Sequence, residues 1–413
     1  MKRLASWQTT ILLIILALSV QGCLDIDTGP FKKQTVGNTN QQIGINTSEK
    51  AAFQGKIYFT LNRNLYVLDG QKNLTQLTRG IDVRDPAVSP DGKKIAFIRR
   101  DKNYSDLMLM DANGSNMRVL RSGKGAFVRN PYSEFPQATF LWYAQPAWSE
   151  DGKRLLFLSD LAKRYVNPGV DSFMLDLQVF AISLDNPGVA RPQEVAYATY
   201  GDGGLRDPSY RPHHPDQIVY TSYKYDNTNT RQVIQIMLED PDAIARHPGR
   251  YRPGVSQIEV DPAVALTPDT PDLANMQPAF SPDGNTILYV RREDATHMSL
   301  YTMPVAEGVT GDPNNPNFNP NTPANQQKGL APYNQSVRLL TKQYISGPVW
   351  SPDGTQIAYL AYNNNTFDLW LTTVVKDPKT GAYHLKPDTE QQLTSTEGQQ
   401  LQVDGDSRPV WTK

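Results

Sequence analysis

The sequence of 413 residues contains a single cysteine, Cys23, and has almost no excess of either charge. One cysteine cannot form a disulfide within the chain, and it excludes a zinc site built from several cysteine thiolates. Lys and Arg together number 41 and Asp and Glu 42, which gives a formal net charge of −1. Proteins that bind nucleic acid usually carry a basic excess, so this balance argues against a nucleic-acid partner.

Apolar and charged residues are also scarce, at 39% and 20% of the chain, and both values lie below the usual globular share. Gly (28) and Pro (31) are frequent, and Tyr (20) outnumbers Phe (13). This composition disfavours long helices and favours short strands joined by turns. The length would allow two or three domains, although all-β folds often run longer as one unit.

The N-terminus has the three-part pattern of a secretory signal. Lys2 and Arg3 precede an apolar core at residues 11–18, which is shorter than the ~20 residues that a membrane-spanning helix needs. Small and polar residues follow, and then Cys23. This segment resembles a bacterial lipoprotein signal, in which a lipobox ends in a cysteine that receives a diacylglyceryl thioether.

Within the lipobox, Val20 and Gln21 stand where Leu and then Ala or Ser are preferred. The resemblance implies that residues 1–22 are a signal peptide and that acyl chains such as palmitate on Cys23 anchor the protein durably to a membrane. An ordinary cleaved signal or an uncleaved anchor is the alternative. Residues 23–52 are rich in Gln, Asn, Thr and Gly, and we predict that they form a flexible tether.

A short pattern recurs six times along the rest of the chain. In its full form, Pro opens a short strand, a Ser-Pro-Asp-Gly turn follows, and a strand of β-branched, aromatic and other apolar residues comes next. The leading prolines are Pro86, Pro146, Pro208, Pro278, Pro348 and Pro409. They lie 60–70 residues apart, and the complete turn occurs three times. Self-similarity at a regular spacing is typical of repeat architectures.

Each copy suits a strand–turn–strand unit. Pro has no N–H to donate to a ladder and is tolerated at the start of a strand. In the turn, Pro presets φ, Asp bonds the local backbone and Gly accepts the left-handed conformation. Further strands follow in most copies, such as residues 107–110 and 117–120, and four strands make one propeller blade.

The two ends of the chain complement each other. The copy at Pro409 has only its first strand, whereas residues 56–60, 65–68 and 74–78 supply three strands that lack a first one. Joined in one sheet, they complete a sixth blade and leave no free terminal blade. The sequence therefore predicts an all-β fold, a six-bladed propeller over residues 53–413. An open array of hairpins or two separate sandwiches is the alternative.

The repeat resembles that of the TolB-like propeller family, whose members carry the same Pro-x-Trp/Phe-Ser-Pro-Asp-Gly signature followed by Ile-Ala-Phe/Tyr. The resemblance covers essentially all of residues 53–413, and it is specific for the fold but weak for function. The family's namesake binds partner proteins in the periplasm, which implies a similar location and role. That protein has an additional N-terminal α/β domain, and the stretch at residues 23–52 is too short to hold one. The specific partners of the namesake therefore stay open.

The resemblance also points to a binding face. In propellers of this family the first strand of each blade lines a central channel, so the residues before each leading proline should ring its mouth. Arg and aromatic side chains are typical of protein-interaction sites. The candidate binding residues are Arg84, Asp85, Trp142, Tyr143, Gln145, Arg206, Asp207, Gln277 and Arg408. The alternative is that the aromatic residues cap the channel and the charges are solvated or paired.

The sequence lacks the local motifs of common enzymes. There is no Gly-x-Ser-x-Gly elbow, P-loop or His-Glu-x-x-His motif. Of the five histidines, His213 and His214 fall in a predicted loop and the other three are far apart. The acidic loop at residues 404–407 offers only a weak calcium contact. We therefore predict no enzyme activity, no cofactor and no metal site, although a channel-site lyase or hydrolase using Asp85, Arg206 and Asp207 stays an alternative.

Together these features predict a lipid-anchored binding protein of the cell envelope that uses a propeller face for protein–protein interaction. Its expected partners are the membrane, through Cys23, and envelope proteins. A glycan- or small-ligand-binding protein is the main alternative. The anchor would lie on the outer face of the cell membrane or on the periplasmic side of an outer membrane. Leu24 follows the cysteine, so the Asp that retains some lipoproteins at the inner membrane is absent.

Overall fold

The computed structural model describes residues 29–413, apart from residues 130–133, 135, 162–175, 186–190, 199–202, 227, 229, 248–249, 252–260, 272, 313 and 316. The predicted signal peptide, residues 1–22, and Cys23 lie outside the described residues. Strands dominate the regular secondary structure of the described part of the chain, and they are numbered β1 to β30 in chain order. No helix within it is long and apolar enough to cross a bilayer.

Six antiparallel sheets of four or five strands hold the repeats. The first sheet contains β30 (Val410–Thr412), β3 (Lys56–Leu61), β4 (Asn64–Asp69) and β5 (Leu74–Gln76). The second contains β6 (Asp82–Val88), β7 (Lys94–Arg100), β8 (Ser105–Asp111) and β9 (Arg118–Arg121). The third contains β12 (Tyr143–Trp148), β13 (Arg154–Ser159), β14 (Gln178–Ser183) and β15 (Gln193–Ala196).

The other three repeat sheets follow the same order along the chain. The fourth contains β16 (Leu205–Arg211), β17 (His214–Tyr225), β18 (Gln232–Glu239) and β19 (Val264–Ala265). The fifth contains β20 (Ala274–Phe280), β21 (Thr286–Arg292), β22 (Met298–Pro304) and β23 (Val337–Lys342). The sixth contains β24 (Ile345–Trp350), β25 (Gln356–Asn363), β26 (Thr366–Lys376), β27 (Tyr383–Leu385) and β28 (Gln391–Gln392).

A seventh sheet has three strands, and a two-stranded ribbon and short helices occupy connections. The seventh sheet contains β1 (Phe31–Thr35), β2 (Gln42–Asn46) and β29 (Thr394–Ser395). The ribbon contains β10 (Phe127–Val128) and β11 (Gln137–Ala138). The helices are α1 (Ala243–Arg246), α2 (Pro323–Leu330) and the 3-10 segments Glu49–Ala51 and Ala331–Gln335.

The all-β propeller is confirmed, but the predicted count of six blades is wrong. The structure has seven sheets of three or more strands. The repeat-based count missed the seventh because that sheet contains no copy of the proline motif. It is built instead from residues that the sequence pattern had assigned to the tether.

The flexible tether predicted at residues 23–52 is therefore corrected for its described part. Ile43 and Ile45 alternate along β2, are fully buried, and pack with Leu393 and Val403 in one apolar cluster. Alternation at a period of two residues is the signature of a half-buried strand. Burial of each of these two aliphatic side chains contributes about 1.5–3 kcal/mol. This gain helps to offset the conformational entropy lost when the otherwise polar segment is ordered.

The predicted pairing of the chain ends is confirmed. Strand β30 pairs with β3 through Lys56 and Thr412, Ile57 and Trp411, and Tyr58 and Val410. The first strands of the repeat sheets, β6, β12, β16, β20, β24 and β30, contact one another in this order, and β30 contacts β6. The two ends of the chain thus lie in one sheet and the ring of first strands is closed.

The tryptophans of two repeats tie their blades to the preceding ones, and a third lies at the closure of the ring. The indole N–H of Trp148 donates to the carbonyl of Ala87 at 2.9 Å, and that of Trp350 donates to the carbonyl of Ala279 at 3.2 Å. At the closure, Trp411 donates to the carbonyl of Gln54 at 2.7 Å. A buried indole that finds such an acceptor places a large apolar group without leaving its N–H unsatisfied.

The Ser-Pro-Asp-Gly turns close as their chemistry predicts. In the first copy the hydroxyl of Ser89 and the N–H of Lys93 donate to Oδ1 of Asp91 at 2.6 and 3.1 Å. Gly92 follows with a φ of +70°, a conformation that glycine adopts without strain. The bonds from Ser89 and Lys93 hold the pKa of the Asp91 carboxyl below its ordinary value. These turns all lie at the end of the sheets away from the candidate binding residues.

Candidate functional site

The residue before the leading proline has an unusual backbone conformation in five repeats. Its φ is positive at each of these positions: Asp85 (48°), Gln145 (46°), Asp207 (58°), Gln277 (54°) and Gly347 (54°). The strand pairing shifts register across the same positions, so each first strand contains a β-bulge. A bulge turns backbone groups out of the ladder, and their hydrogen bonds must then be satisfied elsewhere.

Side chains of neighbouring repeats satisfy these backbone groups and form a continuous ring around the inner strands. We call this arrangement the polar ring, and its side chains are those of Asp85, Gln145, Asp207, Thr221, Gln277, Ser346 and Ser407. Each side chain bonds a residue of the next or preceding repeat. Each bulge of the repeat leaves one backbone N–H without a partner in its own ladder. The ring therefore needs one side-chain acceptor for each of these bulges.

Half of the ring is built from acidic and amide side chains of the second to fourth sheets. The N–H of Gln145 donates to Oδ2 of Asp85 at 3.3 Å, and the N–H of Asp207 donates to Oε1 of Gln145 at 2.6 Å. In return, Nε2 of Gln145 donates to Oδ1 of Asp207 at 2.9 Å. The hydroxyl of Thr221 then donates to Oδ2 of Asp207 at 3.1 Å and accepts from the N–H of Gln277 at 3.0 Å.

The other half passes through the sixth sheet to the C-terminal segment. The N–H of Gly347 donates to Oε1 of Gln277 at 2.9 Å, and the hydroxyl of Ser346 donates to the carbonyl of Gly405 at 2.7 Å. The N–H of Asp85 donates to Oγ of Ser407 at 2.9 Å, which closes the circle. Gly347 has no side chain, and the adjacent Ser346 makes the side-chain bond to the next repeat in its place.

The surroundings of the ring explain the raised pKa of one of its buried acids, Asp85. Burial raises the pKa of the Asp85 carboxyl, whereas the positive charge of Arg408 and bonds from the backbone N–H groups of Arg408 and Gln145 oppose that rise, leaving the pKa above its ordinary value. Both carboxylate oxygens of Asp85 accept backbone bonds from neighbouring repeats. We conclude that this acid links neighbouring repeats within the ring.

A cavity of about 270 Å³ opens beside the ring, between the second and third sheets. We call it the mouth cavity. Its lining residues are Arg84, Asp85, Ile98, Arg100, Ser105, Trp142, Tyr143, Ala144, Leu177, Arg206 and Asp406. The last residue of β7 and the first residue of β8 line the cavity. The cavity therefore lies at the end of the strands opposite the Ser-Pro-Asp-Gly turns.

Three arginine side chains line the mouth cavity. Nε of Arg84 lies 2.8 Å from Oδ1 of Asp82, and its Nη1 contacts the carboxylates of Asp404 and Asp406. Burial lowers the pKa of Arg84, but these three carboxylates outweigh that effect and raise it overall. Arg84 is therefore a fixed positive charge in the cavity wall.

The other two arginines are less constrained. Nη1 of Arg100 lies 3.9 Å from Oδ2 of Asp406, and its side chain is half exposed. Arg206 donates from Nη1 to the carbonyl of Leu205 at 2.6 Å, and its guanidinium lies 5.8 Å from the ring centroid of Tyr223. Among the described residues Arg206 has no carboxylate within ion-pair distance. The lining thus contains three arginines and two aspartates, and Asp82 and Asp404 add two more carboxylates against Arg84.

The candidate residues separate into two sets. Those that line the mouth cavity are Arg84, Asp85, Trp142, Tyr143 and Arg206. Those that belong to the polar ring or bond to it are Asp85, Gln145, Asp207, Gln277 and Arg408. The residues of the second set make hydrogen bonds to neighbouring repeats within the fold.

Sequence reasoning missed several residues of both sets. Ile98 and Leu177 line the cavity and Thr221 completes the ring, but each stands in a strand or loop without a distinguishing motif. Asp406 was singled out only as a weak calcium contact. The structure places both Asp404 and Asp406 on Arg84, which would repel a cation, and the described residues contain no cluster of three potential metal ligands.

A second polar cluster lies inside the fourth sheet. The hydroxyl of Tyr220 donates to Oε2 of Glu239 at 2.7 Å and lies 3.3 Å from Oδ2 of Asp261, and Glu239 is fully buried. Burial and the neighbouring charge of Asp261 raise the pKa of Glu239, and burial raises the pKa of Asp261. Two acids so close in an apolar setting retain a proton between them. Because the Glu239 side chain is sealed from solvent, this carboxyl cannot meet a substrate.

Gln145→Glu tests the polar ring with an almost isosteric change. The new carboxylate would face Oδ1 of Asp207 without the amide proton that bonds it now. We expect the free energy of unfolding to fall by about 1–3 kcal/mol at neutral pH, and the loss to shrink below about pH 4 as the carboxyl groups take up a proton. Urea unfolding followed by circular dichroism measures both effects.

The matched control is Gln277→Glu, since Nε2 of Gln277 reaches only the hydroxyl of Ser346, at 3.4 Å. We expect this variant to lose less stability than Gln145→Glu. Equal losses in the two variants, or no dependence of either loss on pH, would show that the Gln145–Asp207 bonds contribute nothing specific.

The buried acid pair predicts a pH dependence of stability. Because the folded-state pKa values of Glu239 and Asp261 lie above their unfolded values, the folded state holds more protons than the unfolded state. The free energy of unfolding should therefore decrease as the pH rises above about 4, by up to about 1.4 kcal/mol per pH unit for each retained proton. Asp261→Asn should flatten this slope, whereas removing the exposed carboxyl of Asp388 should leave it unchanged. A wild-type slope that Asp261→Asn does not alter would contradict the assignment.

No known protein family matches the sequence, and no curated protein matches it. Solved structures do resemble the fold. TolB from Acinetobacter baumannii superposes with a TM-score of 0.52 at 16% identity, over 86% of this chain and 66% of that one. An oligogalacturonate lyase from Vibrio parahaemolyticus gives 0.43 at 12% identity, over 86% and 84% of the two chains. At this identity the likeness to TolB shows a TolB-like propeller fold and nothing about activity, and this chain spans 66% of that TolB.

Proposed function

We propose that this protein is a lipid-anchored binding protein of the cell envelope, and that the mouth cavity and its rim form a protein-interaction site. The observation that carries the proposal is the mouth cavity itself, where arginines and aromatic side chains converge at one end of the closed ring of strands. Arg, Trp and Tyr are the residues most enriched at interaction hot spots. The TolB-like fold is consistent with this role.

The chemistry of the described residues favours binding over catalysis. The acids of the polar ring bond neighbouring repeats, and Glu239 of the acid pair in the fourth sheet is fully buried. In the mouth cavity, Asp85 is committed to the ring and Asp406 is ion-paired with Arg84 and Arg100. A general acid or base needs a proton-accepting atom within reach of a substrate. Because both acids of the lining are engaged in contacts within the fold, the cavity supports the binding role better than the enzyme alternative.

Anchoring is tested by Cys23→Ser in the full-length protein. A serine cannot receive the thioether that the lipobox resemblance implies, so we expect the protein to move from the membrane fraction to the soluble fraction. Fractionation of cells that express each form, with immunoblotting, measures this distribution. Membrane retention of the Cys23→Ser form would contradict lipid anchoring.

The binding face is tested by site-specific photo-crosslinking in envelope preparations. We place the crosslinking residue at Trp142, on the mouth cavity, or at Lys153, in the turn at the opposite end of the same sheet. The proposal predicts protein adducts from Trp142 and few from Lys153. Adducts of equal yield from both positions would contradict a defined face, and retention on a glycan array with no protein adduct would favour the glycan alternative.

A further inference from the structure

Asp406 places an exposed carboxylate of the protein's own chain against the arginines of the mouth cavity. Its side chain is 63% exposed and belongs to the loop at residues 404–407, yet its carboxylate contacts Arg84 and reaches Arg100. Solvent competes for both partners of the Asp406–Arg100 pair, whereas Arg84 is only 11% exposed, so Asp406 is the solvent-accessible partner of both contacts. The cavity therefore contains an acceptor that a competing carboxylate can reach and replace.

Arg84 and Arg206 would remain in place without Asp406. Arg84 keeps a bond of 2.8 Å to Asp82 and a contact of 3.6 Å to Asp404, whose Oδ2 accepts from the N–H of Arg63 at 2.8 Å. Arg206 is held by the carbonyl of Leu205 and by the ring of Tyr223. The positive groups are thus oriented by contacts that do not involve the displaceable carboxylate.

The other lining residues of the cavity favour the carboxylate of an acidic side chain with an apolar neighbour over a sugar. Ile98, Leu177 and Trp142 supply apolar surface. The hydroxyl of Ser105 both donates to the carbonyl of Tyr143 at 2.7 Å and accepts from its N–H at 2.6 Å. A sugar would need acceptors for its hydroxyl groups, and the carboxylates here already accept bonds from the protein. An acidic side chain with an apolar neighbour requires only the cations and the apolar wall.

We propose that the mouth cavity binds an acidic side chain within an extended peptide segment of a protein partner, and that Asp406 holds the place of this carboxylate until the partner displaces it. The inference rests on the proposed function and adds the chemistry of the partner. The volume of about 270 Å³ suits one or two side chains rather than a folded surface. Arginine pairs with carboxylates through planar, often bidentate bonds, and three arginines around one opening favour this occupant.

The test uses the full-length protein in detergent and a dye-labelled peptide, Gly-Phe-Glu-Gly with an amidated C-terminus, together with its Gln twin. Fluorescence anisotropy should show binding of the Glu peptide, weakened by added salt because the charges are partly exposed. Asp406→Asn should tighten binding of the Glu peptide by about 2- to 5-fold, as the competing ion pair is removed. Arg206→Gln should weaken it.

The matched control is Asp388→Asn, which removes the same charge from an exposed position outside the cavity. Asn tolerates the positive φ of 58° at this position. We expect no change in affinity for either peptide. If Asp406→Asn and Asp388→Asn tighten binding equally, the effect comes from net charge and the inference is wrong.

The outcomes separate this inference from the proposed function. Crosslinks to a protein at Trp142, combined with equal binding of the Glu and Gln peptides, would overturn the carboxylate inference and leave the interaction face standing. Selective binding of the Glu peptide that depends on Asp406 and Arg206 would support the inference even if no partner is captured at Trp142. Binding of an oligogalacturonate probe but not the Glu peptide, tightened by Asp406→Asn, would overturn it in favour of a glycan.

Discussion

The backbone N–H that precedes each leading proline is the group on which the centre of this propeller depends. A positive φ at Asp85, Gln145, Asp207 and Gln277 turns that N–H out of its own ladder, and a side chain from the adjoining repeat accepts it. Left-handed backbone costs about 1–3 kcal/mol for a residue other than glycine, so it persists only where the surroundings stabilise it. The polar ring does this by linking each repeat to the next.

The need to satisfy these N–H groups separates the charged residues into acids that bond within the polar ring and arginines that can bind a partner. Asp85 and Asp207 look like candidates for binding or catalysis in the sequence, but their oxygens accept bonds that hold the ring closed. Arg84 and Arg206 stand immediately before these acids in the chain and point to the mouth cavity instead. Adjacent residues thus acquire opposite roles, because a strand directs successive side chains to different sides.

How far the sequence predicts the rest differs from element to element. The Ser-Pro-Asp-Gly turns and the pairing of residues 56–58 with 410–412 follow from local chemistry and from the repeat, and both are present. The three-stranded sheet was not predicted, because its strand at Gln42–Asn46 is short and polar at its ends and gains its stability from distant Leu393 and Val403. Asp406 was misjudged for a similar reason: its partner Arg84 lies 322 positions earlier in the chain.

The sequence by itself determined the all-β repeat and the closure of the ring by its two ends, because turn chemistry and strand periodicity are local properties that six copies repeat. Only the tertiary structure decided how many sheets the chain forms, which acids are committed to the polar ring and which arginines share a cavity. These outcomes depend on contacts between residues far apart in the chain, and no local pattern records which distant side chain will accept a given hydrogen bond.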